Sequence, residues 1–467
     1  MRDKFANSSL IWSLLAVLFA YISFVPYYYF QPQSIAQEIP RFSIIKYGPF
    51  FIAIMAICLW FINWRISKRN LVLTVVDWSI AAYLGLSLIS LLNAEYLMTG
   101  LSKWTYYNTT GVALYFIVVQ LGSSWEEQKR FGLFMAIVGA VAASYTILFS
   151  VVAIEPFWDA IQRQYNPYHT SQRAMGPFGH TVATATYSIW LLPLVGWAAI
   201  GAKRRWSRAM WALACVGCVV VVFLTQTRGA QLAVLLCGLV MLPVFIRKAR
   251  DVMRGAQWRK NTLAIAVVGL LVAAVSWEIF ITAETGTVSS AVRQRWHEVL
   301  DSRKVEIREG DRIYRYDSLL EYTERYRIAQ YYTVYNILLE HPFFGVGFGN
   351  FSRQFERYRY SENYILREFA EHTTENMYLM FIAEIGILGL LSRLAIMLSI
   401  LIYIAKSWSK MSDGSRKNLL WLYLASFAGI SFNMLTWDLL NEPTIRMAYW
   451  LWTGLAVAVA RHQGQGN

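Results

Sequence analysis

Acidic charge is in short supply in this chain. Its 467 residues include 29 Asp and Glu against 43 Lys and Arg, and charged residues make up only 15% of the total. Soluble domains average about 25% charged residues, so a surface wholly exposed to water is excluded. Cysteine is scarcer still. Cys58, Cys215, Cys218 and Cys237 are the full set, and each falls inside an apolar run. That excludes a disulfide framework. The Cys215–Cys218 pair has no His or acid beside it and reads as packing, not as a zinc or redox site. The chain also lacks an HExxH helix, a Ser/His/Asp spacing and a DxD carboxylate pair. Gly345, Gly347 and Gly349 have no strand before them and no Lys-Ser/Thr after them. A nucleotide-binding phosphate loop is therefore poorly supported, and a compact glycine turn packed with Phe side chains is expected. No metal and no cofactor is expected. Internal repeats and low-complexity segments are missing too.

What the chain has is apolar length. It is 56% hydrophobic and 16% aromatic, with a mean hydropathy of +0.37. Runs close to bilayer-spanning length recur from end to end. They fall at 8–30, 48–66, 71–93, 102–122, 131–154, 181–201, 208–226, 230–246, 262–283, 376–406, 419–438 and 444–460. The expected fold is an all-α integral membrane protein of about 12 transmembrane helices, with both termini cytoplasmic. The first run has no small-residue cleavage site after it and is expected to be a retained span. The run 376–406 is too long for one straight crossing: either Gly386 and Gly389 mark a bend or its first turns stand above the membrane. Three regions follow: residues 1–283 with nine spans, a periplasmic segment 284–375, and residues 376–467 with three spans.

Charge orients this arrangement. Arg2, Lys4, Arg65, Lys68, Arg69, Lys203, Arg204, Arg205, Arg247, Lys248, Arg250, Arg254, Lys406, Lys410, Arg416 and Lys417 all fall in segments assigned to the cytoplasm. The segment 284–375 is nearly balanced in acids and bases. The formal net charge of +14 thus reports topology and contact with anionic lipid, not a nucleic-acid partner.

On the outer side three features stand out. One is the loop 155–180, ending Arg173-Ala-Met-Gly-Pro-Phe-Gly-His180. The second is the tight turn Thr225-Gln-Thr-Arg228-Gly-Ala-Gln231. The third is the segment 284–375. Within it, 315–340 reads as an amphipathic helix lying on the bundle through Leu319, Leu320, Tyr326, Ile328, Tyr331, Tyr332, Tyr335, Leu338 and Leu339. Arg228, Arg325 and Arg327 offer planar guanidinium forks that fit a phosphate bidentately. The flanking Thr225, Thr227 and Gly229 add hydroxyls and a close backbone approach. His372 and Glu375 lie together before the run 376–406, three residues apart and so on roughly one face of a helical entry. An imidazole accepts a proton at neutral pH. The outer tyrosines suit a membrane interface and also the apolar faces of sugars.

In this order the pieces resemble the O-antigen ligase and O-antigen polymerase superfamily of bacterial inner membranes, over roughly residues 165–395. The carrying segments are Arg173-Ala-Met-Gly-Pro-Phe-Gly-His180, Thr227-Arg228-Gly229-Ala230, Arg327 with the His341-Pro342 and Gly-Val-Gly-Phe-Gly-Asn-Phe run, and Asn376-Met-Tyr378-Leu followed by Glu384-x-Gly386-x-x-Gly389. The resemblance implies a GT-C type fold. It implies metal-independent, inverting transfer of a glycan from undecaprenyl pyrophosphate to a hydroxyl at the periplasmic face. For a ligase the acceptor is lipid A–core, and for a polymerase it is another lipid-linked repeat unit. It further implies Arg173, Arg228 and Arg327 as pyrophosphate ligands, with His180, Arg325, Asn376 and Tyr378 in supporting contacts. The chain departs from the family at one place: Glu375 stands where a histidine often precedes the Asn. Either His372 or Glu375 is then the base, and His372 is favoured by its intrinsic pKa. A transporter or flippase of lipid-linked sugars is the rival class. It calls for ionisable residues or broken helices at the bilayer midplane and repeated halves.

Overall fold

The computed structural model describes residues 3–24, 44–67, 71–122, 124–151, 174–178, 180–253, 305–309, 312–316, 319–359 and 374–461. Helices come in chain order as α1 (Asp3–Phe24), α2 (Ile44–Ser67), α3 (Val75–Ile89), α4 (Leu97–Thr109), α5 (Val112–Leu121), α6 (Trp125–Val151), α7 (Thr181–Gly201), α8 (Arg205–Leu224) and α9 (Arg228–Met253). Two short strands follow, β1 (Val305–Glu309) and β2 (Arg312–Tyr316), then α10 (Leu319–Glu340), α11 (Phe351–Tyr358), α12 (Met377–Lys410), α13 (Gly414–Asn433) and α14 (Pro443–Arg461). Among the described residues seven helices are long and apolar enough to cross a membrane: α2, α3 with the 3-10 turn after it, α6, α7, α8, α9 and α12. This is a multi-pass membrane protein. The expected span 262–283 lies outside the described residues.

The centre is built from α7 and α14, whose side chains are buried almost all round. Trp190 and Trp452 meet edge to face there, with ring centroids 6.3 Å apart. Two polar ties hold α13 against α7. Ser426 Oγ donates to the Trp190 carbonyl at 2.6 Å, and Asn433 Nδ2 donates to Thr186 Oγ1 at 2.8 Å. In lipid such bonds fix register between helices that have no hydrophobic drive to separate from solvent. Cys215, Cys218 and Cys237 are unpaired and lie within α8 and α9, as packing residues.

Three expectations need correction. The run 102–122 is not one helix: it breaks between α4 and α5 at Thr110 and Gly111. Gly111 leaves the helical region (φ −122°, ψ −86°), and a Cβ there would lie 2.7 Å from the Trp450 ring. Close packing of α14 on this point forces the break. The segment 284–375, expected to be helical and periplasmic, is not wholly helical, because β1 and β2 pair antiparallel with Val305 opposite Tyr316 and Ile307 opposite Tyr314. The alternation of apolar and charged residues across Val305-Glu-Ile-Arg308 has the period of a strand. Finally, α10 buries a different face from the one expected. Ala329, Gln330, Thr333, Val334 and Ile337 are buried, at helical spacing, while Ile328, Tyr331, Tyr332, Tyr335 and Leu339 are exposed. Small and β-branched side chains let α10 sit close to α12, and the aromatic stripe points away.

The bend in α12 is at Gly386, whose φ of 74° and ψ of −169° interrupt the helix. The glycine turn fills the break. Val346 N donates to the Ala383 carbonyl at 2.9 Å, and Ile387 N to the Pro342 carbonyl at 2.9 Å. Helix groups released by the bend are thereby satisfied. Gly345, Gly347 and Gly349 all have left-handed φ of 62°, 92° and 73°, which non-glycine residues seldom adopt. The turn is pinned on its other side by Lys103 Nζ to the Gly349 carbonyl at 2.9 Å and Asn93 Nδ2 to the Gly345 carbonyl at 3.1 Å. Its amides already serve Ser90, Glu384 and its own carbonyls. It is a structural clamp and not a phosphate cradle.

Candidate active site at the outer helix ends

Four chain segments converge where α7, α9 and α12 begin and α13 ends. The first is the turn before α9. Thr225 closes α8, with its hydroxyl donating to the Val222 carbonyl at 2.7 Å. Gln226 then takes a left-handed φ of 53°, and Arg228 opens α9. A helix N-terminus favours an anion through its free amides and dipole, and the guanidinium at that position adds to the same field. Gly229 lies so close to Thr436 that any Cβ would strike the threonine side chain. Gly229 therefore lets the Arg228 turn dock on the segment after α13.

The second segment is the end of the loop 155–180. Ala174 N donates to the Leu224 carbonyl at 3.0 Å, which ties the neighbour of Arg173 to the Arg228 turn. Arg173 itself lies outside the described residues. His180 caps α7, its Nδ1 accepting from Ala183 N at 3.3 Å. The ring stacks on Trp437, centroids 4.9 Å apart and planes 17° from parallel.

The third is the approach to α12. Glu375 adopts a left-handed φ of 46°, an uncommon state for a non-glycine residue, of the kind that clusters at functional sites. Its Oε2 lies 3.5 Å from Arg327 Nε of α10, with the two side chains 32% and 39% exposed respectively. Burial pushes the Glu375 carboxyl above its ordinary range. Arg327 pulls it back down and the nearby Asp438 pushes it up. Asn376 caps α12, its Oδ1 accepting from the Tyr378 and Leu379 amides at 3.0 and 3.2 Å. The Tyr378 hydroxyl donates to the Ser431 carbonyl at 2.9 Å. Both residues thus hold the backbone around Glu375 in place. Arg325 is on α10 two residues before Arg327. His372 lies outside the described residues.

The fourth segment is 433–442, and it is the hub. Asn433 accepts from the Thr436 hydroxyl at 3.0 Å, Thr436 faces Gly229, Trp437 stacks on His180, and Asp438 adds negative charge that acts on Glu375. Sequence reasoning missed it. The available signal was an acid pair, Asp438 and Glu442, between two apolar runs. His341, by contrast, is not at this cluster: its Nε2 is 3.0 Å from Tyr358 Oη, which also donates to Glu340.

The arrangement gathers the Arg228 turn and the Arg327–Glu375 pair around one segment. Residues 213–394 match the model of the family described as O-Antigen ligase. That stretch contains Arg228, Arg327, Glu375, Asn376 and Tyr378, but not the hub. No curated protein matches the chain. A solved structure from work titled "Structural coordination of polymerization and crosslinking by a peptidoglycan synthase complex" is similar at 17% identity. It covers 84% of this chain and 98% of that one, with a TM-score of 0.40, too low to establish a common fold. Over residues 213–394 the chain is thus similar to the O-antigen ligase family.

Proposed function

We propose that the protein is an O-antigen ligase-like glycosyltransferase of the bacterial inner membrane, with its site open to the periplasm. It moves a glycan from undecaprenyl pyrophosphate to a hydroxyl of lipid A–core or of a growing glycan. The observation that carries this reading is the Arg327–Glu375 pair held beside the 433–438 hub, onto which the Arg228 turn also docks. Arg228, Arg327 and Arg173 bind the pyrophosphate and stabilise the charge that grows on it as it leaves. His372 or Glu375 takes the proton from the acceptor hydroxyl. The oxygen attacks the anomeric carbon as the bond to the pyrophosphate oxygen breaks, with inversion and without a metal. The elevated pKa of Glu375 brings it closer to the range of a working base. His180 and Trp437 border the same corner and offer ring surfaces to the sugars.

Substituting Arg228→Lys and Arg327→Lys keeps each charge and removes the planar fork. Each should lower glycan transfer by about 100- to 1000-fold with the protein still folded and inserted. Near-normal transfer in both variants would mean that neither holds the pyrophosphate. A polymerase differs only in its acceptor. Offering lipid A–core and a lipid-linked repeat unit to the same preparation separates the two by product.

A further inference from the structure

The aromatic stripe of α10 turns away from the helix that α10 packs on. Ala329, Val334 and Ile337 seat α10 against Met380 and Ala383 of α12. The other side presents Ile328, Tyr331, Tyr335 and Leu339, each between 42 and 65% exposed. Their spacing puts all four on one face of a helix. Phe343, 60% exposed, continues the line past the end of α10. None of these five residues carries a charge. The exposed Glu340–Arg357 ion pair, at 3.7 Å, flanks the line at its Leu339 end.

Ties to α12 set the depth of this face. Arg327 lies 3.5 Å from Glu375, and the Pro342 carbonyl accepts from Ile387 N at 2.9 Å. The helix α10 therefore runs antiparallel alongside Met377–Ile385, the part of α12 before the break at Gly386. Beyond the break, Ile387–Lys410 is about 36 Å long at 1.5 Å per residue. That part alone crosses a hydrocarbon core of about 30 Å, so Gly386 stands at one face of the bilayer. Met377 N donates to the Met434 carbonyl, just past the end of α13, at 2.9 Å. Both ends of Met377–Ile385 thus stay near that face, and α10 lies beside them.

The exposed line also joins the lipid-facing surface. Ile387, Leu391, Leu394 and Leu398 are exposed along one face of the crossing part of α12. Phe343 adjoins the upper end of that face, since its carbonyl carbon and oxygen are the atoms that a Cβ on Gly386 would strike. One apolar line therefore runs up α12, across the bend and along α10. Proteins seldom expose so long an apolar patch to water.

We infer that the Ile328–Phe343 face of α10 is seated in the adjacent bilayer leaflet, at the boundary between headgroups and acyl chains. Phospholipid is then the partner of this face, and α10 is an interfacial helix. Tyr331 and Tyr335 set their rings at the acyl border with their hydroxyls among the headgroups. Ile328, Leu339 and Phe343 lie against acyl carbons. The Glu340–Arg357 pair stays on the water side, because charges in hydrocarbon are costly. This seating holds Arg327 at headgroup depth, where lipid phosphates lie. It goes beyond the transferase reading and does not depend on it.

Photo-crosslinking of the full-length protein, in liposomes of phosphatidylethanolamine and phosphatidylglycerol, tests the seating. p-Benzoylphenylalanine would replace Tyr331, Tyr335, Leu339 or Phe343 singly. Leu398 serves as the reference in lipid and Arg357 as the reference in water. All six side chains are exposed, so the fold should be kept, and size-exclusion elution checks that. Mass spectrometry reads the adduct. Phospholipid adducts should form at Tyr335 and Leu339 in yields comparable with Leu398, and should be lost at Arg357. No adduct at the four stripe positions, with Leu398 labelled, would leave the face in water and overturn the proposal. A chain-to-chain adduct there would assign the face to a second copy and overturn it equally. Lipid adducts at Arg357 in the same yield would put the ion pair in lipid too and rule out an interfacial seating. Glycan transfer is not read, so failure of the transferase reading would leave these outcomes unchanged.

Discussion

Glu375→Gln separates structural from chemical roles at the outer cluster. The carboxylate is 3.5 Å from Arg327 Nε, and both side chains are about a third exposed. Ion pairs this accessible to water contribute about 0.2–1 kcal/mol. Removing the charge also relieves the burial that raises the Glu375 pKa, so the net change in stability should stay within about 1 kcal/mol of zero. The pH dependence has a definite sign. A raised folded-state pKa means that the folded protein holds this proton more tightly than the unfolded chain. The stabilisation is complete below the ordinary carboxylate range and is lost as pH rises through the elevated pKa. Thermal unfolding of wild type should therefore show a falling component over that window, and Glu375→Gln should lack it. Transfer from a lipid-linked donor should respond far more strongly. If Glu375 is the base, the rate drops by about 10²- to 10⁴-fold. If it orients His372 or the acceptor, a measurable rate remains and falls below about pH 6.5, where imidazole protonates. A normal rate with an unchanged pH profile would refute both roles and remove Glu375 from the site.

Two further outcomes follow from the fold. Gly345→Ala places a Cβ against the Ala383 backbone at a φ of 62°. It should lower stability by at least about 1–3 kcal/mol in thermal unfolding, and a wild-type melting curve would show that the clamp at the α12 bend is dispensable. Single cysteines at positions 250 and 320 should label only from the cytoplasmic and only from the periplasmic side, respectively. Label reaching 250 from the periplasm alone would invert the topology.

Much of the architecture was legible because lipid imposes simple rules. Apolar runs at α6, α7, α8 and α9 became helices close to their expected bounds, and Gly386 marked the bend in α12. Other features depended on contacts between distant segments. The break at Thr110–Gly111 is set by Trp450, which no local pattern within 102–122 announces. The buried face of α10 went to Ala329, Thr333 and Ile337 because close approach to α12 favours small side chains over a large aromatic stripe. At the site, Arg228, Arg327 and Glu375 were found as residue types able to bind phosphate or move a proton. Asn433, Thr436, Trp437 and Asp438 were not. Their roles come from what they face, and a threonine against a glycine has no signature in one dimension. Arg393 and Arg446 are charges inside apolar runs, and only packing shows that they line one cleft.

Reconstituted transfer tests the central claim most directly. Purified protein in liposomes would be given an undecaprenyl-pyrophosphate-linked glycan and an acceptor hydroxyl, with the glycosylated acceptor and the released lipid pyrophosphate both quantified. Wild-type protein should form the two in equal amounts, and Arg327→Lys should lower both together by about 100-fold or more. Movement of intact lipid-linked glycan across the bilayer without any new glycosidic bond would contradict the account and establish a transporter in its place.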